Sequence, residues 1–182
     1  IKNEHNNIST KKEVLDLFLD LVLENIIDSE KNNPNVALLL NFWNHGNYYG
    51  VSVDPKTVYK MLYMNDIYDS IKEYLDKYNI NVLDYLVFDC CLSASLSNIK
   101  LFSNISKYLM SASTTVPSLG NYYNYTLPVK GSIKNMLLDK LFNNTISSYN
   151  IYLKSLSVFD SDRFIFFEDN MKYILERTTN IT

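Results

Sequence analysis

Apolar side chains recur along this chain at two spacings, and the alternation between them predicts its architecture. Leu15, Phe18, Val22 and Ile26 stand three or four residues apart, which predicts a helix over residues 11–28. Thr10-Lys11-Lys12-Glu13 ahead of it has the form of a capping box. The polar stretch SEKNNPN (29–35) separates this helix from VALLLNFW (36–43). That nearly unbroken apolar run suits a strand covered on both faces of a parallel sheet. Residues 44–56 read as a loop, punctuated by Gly46, Gly50 and Asp54-Pro55. Ile67, Ile71, Tyr74, Leu75 and Tyr78 return to helical spacing, and DYLVFDCC (84–91) forms a second apolar strand. Leu96, Ile99, Phe102 and Ile105 mark a third helix, and KYLMSA (107–112) a short strand. The loop STTVPSLGNYYNYTLP (113–128) is broken by Pro117 and Gly120, and residues 131–154 read as mostly helical. SLSVFD (155–160) is a fourth strand. A last helix, 162–177, would turn Ile165, Phe167, Met171, Ile174 and Leu175 inward.

The order α-β-α-β-α-β-α-β-α predicts an α/β fold, with parallel strands and helices on both faces. In such sheets ligands bind beyond the carboxyl ends of the strands. His45 stands at the end of the first strand and Cys90-Cys91 at the end of the second. Neighbouring strands would bring an imidazole and a thiol to one edge of the sheet.

Composition narrows the function classes. At 182 residues and 47% hydrophobic content, one domain with a sizeable core is expected. A net charge of −3 and a pI of about 5.4 argue against nucleic acid or an anionic membrane as the main partner. No apolar stretch approaches the ~18 residues of a membrane span, and no signal-peptide pattern opens the chain. The chain reads as soluble, with its compartment open. Ile1 is not an initiator methionine, so upstream residues are expected to have been removed. The two cysteines are adjacent, which excludes a disulfide framework. Together with His5 and His45 they lack zinc-ligand spacing.

Strand alternation assigns the two thiols different surroundings. Asp89 and Cys91 would share one face, with Cys90 on the other, a small buried residue against a helix. Cys91 would stand at the tip just before a helix, where backbone N–H groups favour a thiolate and an oxyanion. His45 could take the thiol proton or protonate a leaving amine. Gly46 would bring a backbone N–H close to substrate with no side chain in the way. The bland alternatives are a His-Gly turn and a core cysteine. For Tyr48, Tyr49, Tyr122, Tyr123 and Tyr125, on the loops expected to border the cleft, ordinary packing competes with a role as subsite walls, because the chain has 15 tyrosines.

ALLLNFWNHG and DYLVFDCCLSAS resemble the two signatures of the clostripain family of cysteine peptidases, which have a caspase-like fold. Trp43-Asn44-His45-Gly46 matches the first motif and Asp89-Cys90-Cys91-Leu92 the second. YLMSASTTVPSLG (108–120) and SLSVFDSDRFIFFEDNMKYIL (155–175) are similar to later segments, so the resemblance spans roughly residues 8–177. It implies a three-layer caspase-like sandwich with a mostly parallel sheet. It further implies Cys91 as nucleophile, His45 as general acid/base, Gly46 and Cys91 as oxyanion donors, and Asp89 as receptor of an Arg or Lys side chain at P1. The partner implied is a peptide or protein substrate, and no organic cofactor is required. Some relatives depend on calcium; Asp54, Asp66 and Asp69 are the acids available for it here, without an EF-hand loop. The family's first two strands and C-terminal extension are missing from residues 1–182, so the strands would lie upstream or on another chain. Self-cleavage between the two motifs is common in the family, and Lys56 and Lys60 are the basic candidates.

The chain departs from the family in places. Asn47, Tyr48 and Tyr49 follow His-Gly where small residues are usual, Ser113-Thr114 replaces Glu-Glu, and Leu119 is apolar at an often acidic position. These departures favour one alternative to a peptidase, a catalytically silent binding module; a transamidase, which shares the acyl-enzyme step and differs in the acceptor, is a second.

Overall fold

The computed structural model describes residues 10–26, 33, 36–52, 60–116 and 156–179, the side chains of 156 and 173–179 excepted. The predicted helix at 131–154 lies outside these residues.

Helix α1 (Lys12–Glu24) buries Leu15, Leu19 and Leu23. Phe18 and Val22, expected to point inward, are exposed, as are Leu17 and Leu21. Outside Glu13 and the polar stripe Lys12, Asp16, Asp20 and Glu24 this helix is apolar, so several stripes of helical spacing can be drawn on it, and packing chooses among them. The capping box does not form: Lys11 is the N-cap and contributes no side-chain bond.

The main sheet has the order β1-β5-β6-β7, built from β1 (Leu39–Trp43), β5 (Leu83–Asp89), β6 (Ser106–Ala112) and β7 (Leu156–Asp160). A smaller sheet consists of β2 (Gly46–Asn47), β3 (Gly50–Val51) and β4 (Leu62–Tyr63) in that order. It occupies part of the predicted loop at 44–56. Each of its strands has two residues, too short for any alternation to show.

β1, β5 and β6 run parallel, whereas β7 is antiparallel to β6. The expectation of parallel strands therefore holds for three strands and not for the last. Apolar pattern marks a strand without fixing its direction, and parallel sheets commonly carry an antiparallel edge. β5 is buried at all seven residues, as befits a central strand covered on both faces. β1 is only partly covered, with Leu39 and Trp43 exposed; it is one of the two edges of the described sheet.

Helix α2 (Met64–Lys77) carries the chain from β1 to β5, after the small sheet, and α3 (Leu96–Phe102) carries it from β5 to β6. Both crossovers step in the same direction across the sheet, so right-handed connection puts α2 and α3 on one face. α2 also packs along α1, and Asp20 joins them by accepting from Lys77 Nζ and Tyr78 Oη. Those bonds hold the Asp20 carboxyl below its ordinary range.

Helix α4 (Ser161–Thr179) starts with Ser161 Oγ donating to the Ser106 carbonyl at 2.6 Å. Phe164 packs against the core, while Ile165, Phe167 and Met171, expected inward, are exposed.

Phe88 of β5 ties the layers together, stacking on Phe42 at 5.4 Å between ring centroids and meeting Phe102 of α3 at 5.1 Å. At the other end of β5, buried Asp84 accepts from the Leu38 N–H at 3.0 Å and from Lys107 Nζ at 3.1 Å. A carboxylate so placed is satisfied by both flanking strands and pins their register.

Candidate active site

The carboxyl ends of β1 and β5 lie side by side, with Trp43 in register with Asp89. Beyond these ends opens a cleft of about 360 Å³ lined by Trp43, Asn44, His45, Asp89, Cys90, Cys91 and Val116. Three residues expected to act together, His45, Asp89 and Cys91, thus line one cleft at the ends of adjacent parallel strands. Trp43 and Val116 join them without having been assigned a role from the sequence.

His45 is exposed, and its backbone N–H donates to Asn44 Oδ1 at 2.7 Å. The chain then enters the β2–β3 hairpin. Asn47 Oδ1 accepts from the N–H groups of Tyr49 at 2.8 Å and Gly50 at 3.2 Å, which closes the turn. Tyr48 and Tyr49 keep negative φ, so the turn is not one of the primed types. Tyr48 Oη reaches the Ser113 carbonyl at 3.3 Å. The small sheet requires glycine at position 50: a Cβ there would meet the Leu62 carbonyl oxygen at 2.4 Å.

Gly46 has a reason of the same kind. A Cβ on it would stand 2.6 Å from Cys90 Sγ, 2.9 Å from Cys90 Cβ and 3.3 Å from the Cys91 carbonyl oxygen. The glycine lets the backbone after His45 lie against the backbone after Asp89. The Cys90 sulfur therefore lies beside Gly46, and the residue is part of the buried core. Cys90 is 2% exposed, and burial pushes its thiol up to about 12, with a hydrogen bond from Ser93 opposing. It is a poor nucleophile at neutral pH.

β5 ends at Asp89, so both cysteines lie past the last strand residue. Cys91 enters a turn, partly exposed, and Leu92 adopts φ 54°. α3 begins only at Leu96, behind the N-cap Ser95; the helix N-terminus expected next to Cys91 is displaced from it. A different donor takes its place. The Val116 N–H points at Cys91 Sγ at 3.2 Å, and the thiol reaches the Val116 carbonyl at 3.8 Å. The segment after β6 runs along the turn, with Leu92 N–H donating to the Thr114 carbonyl at 3.0 Å and Ala94 N–H to the Ala112 carbonyl at 2.9 Å.

Tyr48 and Tyr49 do not wall the cleft. With Tyr63 and Asp66 they border a separate groove of about 650 Å³. Tyr122, Tyr123 and Tyr125 lie outside the described residues, as do Asp54 and Lys56. Asp66 and Asp69 belong to no cluster of three metal-ligating side chains among the described residues. Lys60 is exposed just ahead of β4. No helix among the described residues is long and apolar enough to cross a membrane.

The sequence model of the clostripain family matches residues 3–181. The chain belongs to the clostripain family. An inactive protease zymogen from Parabacteroides distasonis superposes with a TM-score of 0.63 at 19% identity, covering 90% of this chain and 43% of its own. A secreted cysteine protease from Bacteroides thetaiotaomicron, named iotapain, gives 0.63 at 18% identity over 92% of this chain and 49% of its own. A secreted cysteine protease of the same organism, in complex with an irreversible peptide inhibitor, gives 0.62 at 16% identity over 85% and 46%. The comparison with curated proteins finds no match. These likenesses show the fold, the caspase-like arrangement of the clostripain family, and the chain spans less than half the length of each structure.

Proposed function

We propose that this clostripain-family chain carries the catalytic centre of a cysteine endopeptidase that cleaves after Arg or Lys. The observation that carries the reading is the shared cleft: His45 and Cys91 line it from the ends of adjacent parallel strands, with Asp89 buried beside them. The relative bound to an irreversible peptide inhibitor supports a peptide as substrate.

Cys91 Sγ attacks the scissile carbonyl carbon while its proton passes to His45. The carbonyl oxygen gains the negative charge, and the N–H groups of Gly46 and Cys91 hold it. In a two-residue hairpin the residues flanking the loop form the hydrogen-bonded pair, so alternation leaves Gly46, opposite Val51, in the pair that exchanges no ladder bonds. Its N–H is then directed away from β3. As the intermediate collapses, His45 returns the proton to the leaving amine, giving a thioester at Cys91 and the free C-terminal fragment. Water, deprotonated by His45, hydrolyses the thioester and restores the thiol. The Val116 N–H, 3.2 Å from Cys91 Sγ, orients the sulfur at the mouth of the cleft.

A fluorescent peptidyl-arginyl acyloxymethyl ketone tests this directly. Wild-type protein should be labelled at Cys91, and both C91A and H45A should lose labelling and turnover. Absence of labelling and turnover in folded wild-type protein would leave the domain as a binding module.

A further inference from the structure

Asn98 is the third residue of α3, a position where a residue following a Ser cap often reaches back to the cap's own N–H. Here it does something else. Ser95 Oγ accepts from the Asn98 N–H at 3.1 Å, while the Asn98 side chain turns away from the helix. Its amide nitrogen donates to the Ser93 carbonyl at 2.8 Å and to the Tyr48 carbonyl at 3.1 Å. The side chain is buried, 5% exposed.

These carbonyls belong to different loops. Ser93 lies two residues after Cys91, and Tyr48 three residues after His45. One nitrogen carrying two protons therefore joins the hairpin that follows the imidazole to the turn that carries the thiol. Two facing carbonyls require two donors on one atom in a small buried space. Asparagine supplies them, whereas an ionised aspartate has only acceptors.

We propose that Asn98 is a positioning residue that holds the His45 loop and the Cys91 turn at their working separation. It touches neither the substrate nor the reacting atoms, and its role rests on the Cys91–His45 reading above. Displacing a reacting pair by about 1 Å can cost on the order of 10²-fold in rate. Releasing the clamp should therefore fall on kcat more than on KM.

The test compares wild type with N98D, N98L, N98S and the neighbouring surface variant S97A. It measures kcat and KM on an Arg-P1 peptide, thermal midpoint, and the pH profile of iodoacetamide alkylation at Cys91, resolved by peptide mass spectrometry. N98D and N98L should lose about 10²-fold in kcat with KM little changed. Their alkylation profiles should move to higher pH, toward that of H45A, because a displaced imidazole no longer supports the thiolate. N98S, with one O–H for two carbonyls, should fall between, and S97A should match wild type. Should N98L not fold, the isosteric N98D and N98S carry the comparison. Wild-type kcat in N98D, or lost activity with an unmoved alkylation profile, would overturn the clamp. If C91A and H45A are inactive while the Asn98 variants are not, the clamp alone falls. If C91A and H45A cleave normally, the dyad falls and the clamp with it.

Discussion

Gly46 and Cys90 approach so closely that a Cβ built on the glycine would stand 2.6 Å from Cys90 Sγ. The motif glycine is thus demanded by contact between two loops, independently of any need to admit substrate. An alanine there must push the hairpin away from the Cys90-Cys91 turn. G46A should cost about 1–3 kcal/mol of stability through overpacking and on the order of 10²-fold in cleavage rate through displacement of His45. Adding C90A removes the sulfur but keeps Cys90 Cβ, 2.9 Å from the new methyl. The double variant should regain part of the lost stability, a coupling that a double-mutant cycle on thermal midpoints would read. Strict additivity would mean the two residues do not meet as described.

Burial of Cys90 has a pH signature. Its thiol is raised to about 12 in the fold from an ordinary 9.0. Between those values the unfolded chain has lost a proton that the folded chain keeps, so stability falls as pH rises. The contribution is fully present below about pH 9. It is then lost at a slope of up to about 1.4 kcal/mol per pH unit until the folded thiol also ionises. C90A should cost about 1 kcal/mol at pH 7 yet show a shallower alkaline decline, while retaining most peptide cleavage. Denaturant unfolding of both proteins from pH 7 to 11 gives the slope difference. Identical slopes would show that Cys90 is accessible to water.

The parts of this fold that sequence reveals are those where burial dictates composition. β5 is buried at every position and reads as an unbroken apolar run. Its parallel pairing with β1 follows from the alternation of helices and strands, and that pairing brings His45 and Cys91 to one edge. α1 is different: apolar residues cover most of its circumference, so Leu15, Leu19 and Leu23 cannot be told from Phe18 and Val22 by spacing. Between Cys91 and α3, LSAS holds no glycine or proline, so no breaker marks the gap before the helix, and Ser95 as a cap is its one signal. The two-residue hairpin left only Asn47 and Gly50 as signals. Asn98 was legible in principle, as a polar residue in the third helical position after a serine, within a stripe otherwise set by Ile99 and Phe102.

Asp89 should govern what the cleft accepts. It is 3% exposed, lines the cleft, and is in register with Trp43 at the strand tips. A Lys or Arg side chain reaching it would form a charge-assisted bond in a site shielded from water. Such bonds contribute roughly 1.5–3 kcal/mol, which is about 10- to 100-fold in kcat/KM. D89N should lose that much on Arg-P1 and Lys-P1 peptides and much less on Ala-P1 peptides, with alkylation of Cys91 by a small reagent nearly unchanged. Equal turnover of Ala-P1 and Lys-P1 peptides by the wild type would remove Asp89 from the specificity pocket.

Self-cleavage is the last expectation, and Lys60, one of its two candidates, lies next to the small sheet. Lys60 is exposed and lies in irregular backbone, two residues before β4 and four before α2. A peptidase needs its substrate extended, and this segment leads into the two-residue strand β4, whose Leu62 is buried in the core. Gly46 pairs with Val51 and Val51 with Leu62, so β4 lies two strand spacings, roughly 10 Å, from the glycine of the motif. Self-cleavage after Lys60 would require β4 to open, presenting the lysine either to the cleft of its own chain or to that of a second copy. Incubated wild-type protein should divide slowly after Lys60 or Lys56, C91A should stay whole, and K60A should shift any cut to Lys56. Intact-mass measurement over time, repeated at several protein concentrations, separates cutting within one chain from cutting between chains. An undivided chain under conditions where an Arg-P1 peptide is consumed would mean that β4 holds the segment closed.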